Sequence, residues 1–140
     1  MGKAEWCTFL LNTGARPIEA IILKYDKVDF TNSTVVIGCY KSKGGLQLTR
    51  RVPLNDLALE MIPKSVPPPS AHVFLNEGRP FENNKQIRYH WRKVTDRLGI
   101  NKPPYTLRHT FATRLARNGT PPKVIAIFWA TPTSRWSCDI

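Results

Sequence analysis

The chain has 140 residues with 41% apolar side chains, enough for one domain with a real core and too apolar for wholesale disorder. Twenty-one Lys and Arg against ten Asp and Glu leave a net charge of +11 and a pI near 10.0, which points to a polyanionic partner, nucleic acid foremost, without separating DNA from RNA. Cys7, Cys39 and Cys138 form no CxxC pair, His72, His90 and His109 have no zinc-finger spacing, and no apolar run reaches membrane length, so the expected protein is cytoplasmic, reduced, metal-free and without a membrane role.

In chain order, residues from about Lys3 to Asn12 predict a helix carrying Trp6, Phe9 and Leu10, stopped by Gly14. Pro17 suits the first turn of a second helix through Ile18, Ala20, Ile21 and Leu23. The β-branched run Thr34 to Cys39 predicts a strand, Lys43-Gly44-Gly45 a turn, and Leu46 to Val52 an antiparallel return. Leu54 to Ile62 predicts a short helix capped by Asn55 or Asp56. After the stiff Pro67-Pro68-Pro69 connection, His72 to Leu75 is a short strand candidate. Asn83 to Leu98 carries the strongest helical period, with Ile87, Trp91, Val94 and Leu98 on one face and Arg88, Arg92, Lys93 and Arg97 over much of the rest. Pro103-Pro104 precedes a helix from Thr106 to Ala116 ridged by Leu107, Phe111 and Leu115. Asn118-Gly119 ends it, and Pro121-Pro122 opens a last helix through Val124, Ile125 and Phe128. Helical pattern is lost after Trp129, so the expected division is a domain over 1–128 and an aberrant tail over 129–140.

Four segments in fixed order, Asn12 to Glu19, Lys43 to Leu54, Tyr105 to Thr113 and Asn118-Gly119, resemble the tyrosine recombinases of the phage-integrase type. Thr13-Gly14-Ala15-Arg16-Pro17-Ile18-Glu19 is similar to the family's TGxRxxE box, and Lys43-Gly44-Gly45 leading to Arg51-Val52-Pro53-Leu54 to its lysine hairpin. Tyr105-Thr106-Leu107-Arg108-His109-Thr110-Phe111-Ala112-Thr113 is close to its HxLRHTFAT box, and Asn118-Gly119 stands before an apolar helix, as in the family. The resemblance implies a mostly helical α+β catalytic domain with a small antiparallel sheet, acting on double-stranded DNA as a tetramer and needing neither metal nor nucleotide. It also implies that Arg16 and Arg108 clamp the scissile phosphate, that Lys43 protonates the leaving 5′ oxygen, and that Glu19 and His109 support the site.

Physical chemistry agrees with those roles. A phosphodiester under attack gathers charge on its non-bridging oxygens, and a guanidinium fork matches two of them at once. Each residue alone has a plainer account. An arginine in a first helical turn is usually solvated, a lysine beside Gly-Gly is usually mobile, and Glu19 can simply answer a helix N-terminus. Lys41, Arg50 and Arg51 compete with Lys43 as hairpin cations.

The chain also departs from the family. Tyr105 replaces the usual histidine; a phenol can donate a hydrogen bond to phosphate, yet its pKa of ~10 makes it a poor proton shuttle. Thr131 stands where the resemblance expects histidine or tryptophan, and Ile140 where it expects the nucleophilic tyrosine. The chain as written is therefore expected to grip DNA without cutting it. Shifted by one frame from the third base of the Phe128 codon, Phe-Trp-Ala encodes Leu-Gly whatever codons are used, which restores the start of the family's next box. Two rivals remain: a non-catalytic DNA-binding regulator with this fold, and a basic RNA-binding protein in which the boxes are coincidental.

Overall fold

A computed structural model describes residues 5–38, 49–64 and 67–129. Helix α1 (Glu5–Thr13) turns Trp6, Phe9, Leu10 and Thr13 inward, the i, i+3, i+4, i+7 stripe of a helix with one buried face. Gly14 ends it at φ 69, donating its N–H to the Leu10 carbonyl at 2.9 Å. Helix α2 (Pro17–Ile21) starts on Pro17 as expected and stops before Leu23. Leu23 is still buried, because its carbonyl accepts the Val73 N–H at 2.9 Å and the chain there runs extended beside His72.

The sheet has one more strand than the sequence suggests. After a 3₁₀ turn at Tyr25–Lys27, strand β1 (Val28–Asp29) pairs antiparallel with β2 (Thr34–Gly38), which pairs with β3 (Thr49–Pro53) from Thr34↔Pro53 to Gly38↔Thr49. Two residues of β1 are too few for an alternation to be visible. Val35 and Ile37 of β2, with Arg50 and Val52 of β3, face inward. Cys39 and the expected Lys43-Gly44-Gly45 turn lie outside the described residues.

Helix α3 (Asp56–Glu60) is capped by Asn55, whose Oδ1 accepts the Ala58 N–H at 2.9 Å. The His72 to Leu75 strand is realised only at its ends. His72 makes a bridge with Lys24, and β4 (Leu75–Asn76) turns back onto β5 (Arg79–Pro80) through Glu77 and Gly78, both at positive φ. Helix α4 (Asn84–Thr95) begins on Asn83, which caps the Lys85 and Gln86 N–H groups. Helices α5 (Thr106–Arg117) and α6 (Pro122–Trp129) follow, separated by Gly119 at φ 80.

Trp6, Phe9, Leu10, Ile37, Val52 and Phe74 anchor one core between α1, the three-stranded sheet and the start of α4. One expectation fails here. Ile87 is buried and Trp91 packs its ring 6.4 Å from Trp6, but Val94 and Leu98 are 56% and 65% exposed. The stripe is helical, yet it outruns its support: α4 ends at Thr95 and the apolar side chains beyond Trp91 extend past the edge of the core. The architecture is otherwise the α+β, mostly helical one expected, with its small antiparallel sheet. No described helix is long and apolar enough to cross a membrane.

Candidate active site

Arg108 lies in the first turn of α5 and is fully buried, which is unusual for a side chain that is charged at every physiological pH. Two features of the chain bring the Gly14 end of α1 to it. Gly14 takes a left-handed backbone, and its missing Cβ leaves room for the Phe111 ring, one turn after Arg108 on α5. The Gly14 carbonyl accepts Arg108 Nη1 at 3.1 Å. The glycine of the first box and the arginine of the third thus meet across 94 residues.

Glu19 supplies the counter-charge. Its carboxylate is buried and accepts the Arg16 backbone N–H at 2.8 Å, closing the first turn of α2 from below. Arg50, on the inward side of β3, forks onto both carboxylate oxygens at 2.9 and 2.8 Å. Arg108 Nη1 stands 3.9 Å from the same Oε2, an ion pair without hydrogen-bond length. Burial lowers the Arg108 pKa to about 10; repulsion from Arg50 and Arg16 acts the same way, while Tyr105 and Glu19 oppose it. Arg108 stays charged at neutral pH, in a centre where, among the described residues, guanidinium groups outnumber carboxylates.

Arg16 is half-buried at the head of α2 and lines a cavity of about 180 Å³ with Asn84, Arg88, Pro104 and Tyr105. The Tyr105 ring lies 5.9 Å below the Arg108 guanidinium and meets His109 edge-on at 5.3 Å. His109 itself is exposed. Arg16, Glu19, Tyr105, Arg108 and His109, predicted from two separate boxes, are therefore brought to one place. Lys43, Thr131 and Ile140 lie outside the described residues.

Two contributors were missed from sequence. Arg50 looked like a hairpin cation competing with Lys43; it is instead buried against Glu19. A signal was present, since Arg50 shares the inward parity of Val52 two residues on. Arg88 looked like ordinary helix surface. It lines both the cavity at Arg16 and an open groove of about 630 Å³ walled by Lys85, Tyr89, Arg92 and Lys102, so a basic track along α4 leads to Arg16 and Tyr105.

Known proteins share this fold. Residues 3–130 match the phage integrase family. Tyrosine recombinase XerA of Thermococcus onnurineus (strain NA1) is 32% identical over 126 residues, covering 84% of this chain and 43% of the relative. The Tn1549 transposon integrase, in complex with circular intermediate DNA, matches at a TM-score of 0.71 and 20% identity over 93% of this chain and 50% of that one. A crystal structure of XerA recombinase matches at 0.71 and 23% identity, over 90% of this chain and 47% of that one. The chain spans about half the length of the proteins it matches. It carries the catalytic-domain fold of the site-specific tyrosine recombinases and integrases and belongs to the phage integrase family.

Proposed function

We propose that this chain is the phosphate-gripping part of a site-specific DNA recombinase, acting in the cytoplasm on double-stranded DNA. One observation carries the proposal: Arg108, fully buried beside the Arg50–Glu19 ion pair and within electrostatic reach of Arg16, gathers positive charge at one place, as an anion site requires. In this reading Arg16 and Arg108 clamp the two non-bridging oxygens of the scissile phosphate. Tyr105 donates its phenolic hydrogen to one of them, His109 flanks it, and Glu19 holds the guanidinium groups in register. Lys43 would protonate the 5′ oxygen that departs when a tyrosine hydroxyl attacks the phosphorus, a nucleophile in whose place Ile140 stands here. The groove along α4 takes the phosphates beside the reacting one, through Lys85, Arg88 and Arg92. The complex of the Tn1549 integrase with circular intermediate DNA supports DNA as the partner; assembly of several copies on it is carried over from the family resemblance alone.

A duplex titrated over a range of salt tests the proposal. Log affinity should fall with log salt at about −0.9 per phosphate neutralised, and Arg108→Met should weaken binding at every salt concentration. Binding that ignores salt, or a strong preference for RNA, would give the function to a different class of basic protein. With Ile140 at the position expected for the nucleophile, a nicked suicide substrate should yield no denaturant-resistant adduct. An adduct would direct attention to Tyr105. The proposed boundary between 1–128 and the tail at 129–140 is checked by the codons from Phe128 onward, which should spell the family's box in the shifted frame.

A further inference from the structure

Arg108 and Glu19 are both buried, with opposite charge, and still do not form the short two-pronged pair that a guanidinium and a carboxylate form when nothing else holds them. Arg50 already occupies that place. Its Nη1 and Nη2 hold Oε1 and Oε2 at 2.9 and 2.8 Å, while the Arg16 backbone N–H adds a third bond to Oε2 at 2.8 Å. Arg108 is left at 3.9 Å, within attraction but without a hydrogen bond to the carboxylate.

We propose that Arg50 is a positioning residue: by occupying both oxygens of Glu19 it keeps that carboxylate from closing on Arg108 and cancelling the charge offered to an incoming phosphate. The inference rests on the phosphate-binding function proposed above and adds a residue to it. Arg50 is 7% exposed and acts through Glu19 and Arg108 rather than on DNA. Its repulsion of Arg108 is the electrostatic trace of the arrangement. Two cations share one carboxylate, the first through two hydrogen bonds and the second at 3.9 Å. β3 follows in sequence the segment that carries Lys43, so the same ion pair ties the strand after that segment to Glu19.

The test uses the full chain with isotope-labelled arginine side chains, titrated with inorganic phosphate and followed by the Arg108 guanidinium resonance. Folding of each variant is checked by circular dichroism. Arg50→Met releases Glu19 to pair with Arg108, and phosphate affinity should fall about tenfold, the worth of one hydrogen bond to a charged group. Arg50→Lys offers a point charge instead of a fork and should fall between the two. Arg50→Met combined with Glu19→Gln removes the competing carboxylate and should restore binding. A merely structural role predicts instead that folded Arg50→Met binds phosphate as wild type does, and that result overturns the proposal. So does a double variant as weak as the single one. Should Arg50→Met fail to fold, an Arg50→Lys variant with wild-type affinity overturns it equally. If the wild-type chain does not bind phosphate, the functional proposal fails first. The Arg108 resonance without phosphate then still decides: it should move in the Arg50 variants, and an unmoved resonance means that Glu19 never closes.

Discussion

Around Glu19, Arg50 and Arg108 are buried against one carboxylate, whereas along α4 Lys85, Arg88 and Arg92 carry the same kind of charge into solvent. The inner arginines are oriented by short bonds and by burial, so their charge is fixed in direction before any ligand arrives. The outer cations sit in high dielectric and can follow a polyanion as it approaches. A site that stabilises a developing charge needs the first kind, and one that collects a polymer needs the second. The cavity at Arg16 adjoins the outer groove, because Arg88 lines both.

If the two regions differ in this way, breaking the inner one should cost far more stability. Glu19→Gln removes the carboxylate charge against which Arg50 and Arg108 are buried, and should destabilise the fold by about 3–5 kcal/mol in denaturant titrations. A loss below about 1 kcal/mol would put the pair in the range of solvated surface bridges and dissolve the contrast.

Gly14 should come next. Its φ of 69 is costly for any residue with a Cβ, and that atom would overlap the Phe111 ring. Gly14→Ala should therefore lose about 2–4 kcal/mol, the strained backbone and the overpacked ring together. Adding Phe111→Ala should recover only the ring's share, so the two substitutions will not be additive. Simple additivity would mean that the helices separate instead of staying packed, and that Gly14 does not set the position of Arg108.

These long-range dependencies also mark what the sequence could and could not disclose. Arg16, Glu19, Arg108 and their neighbours were legible because each sits in a contiguous segment whose residue order is itself informative. The three-stranded sheet was legible except for β1, whose two residues are too short to show a period. Arg50 was not assigned, since its partner is 31 residues away and a strand arginine looks the same whether its inward neighbour is water or a carboxylate. Val94 and Leu98 misled for the opposite reason: period locates the face of a helix, while the neighbouring elements decide how far along that face the core extends.

The outer region gives a smaller and qualitatively different effect. Arg88→Ala and Arg92→Ala remove exposed charges, so stability should stay within about 0.5 kcal/mol of wild type. The salt dependence of duplex binding should shallow by about 0.9 for each phosphate that is no longer neutralised. A large loss of stability with an unchanged salt slope would reverse the assignment of the two regions.

The smallest effect on the fold is expected at Tyr105, which lines the cavity beside Arg16. Its ring is half-buried, close to both the Arg108 guanidinium and His109, and it lines the cavity beside Arg16 and Arg88. Tyr105→Phe keeps the ring and its neighbours and removes one oxygen. The fold should be unaffected, and phosphate binding should weaken by about 0.5–1.5 kcal/mol, the net worth of one hydrogen bond. Tyr105→Ala separates the two contributions, because it also strips the aromatic face from Arg108 and should weaken binding further. Equal affinities for wild type and Tyr105→Phe would make the residue a packing element of the inner cluster. A loss confined to the hydroxyl would place it at the phosphate, where the ring's position against buried Arg108 keeps that oxygen aimed.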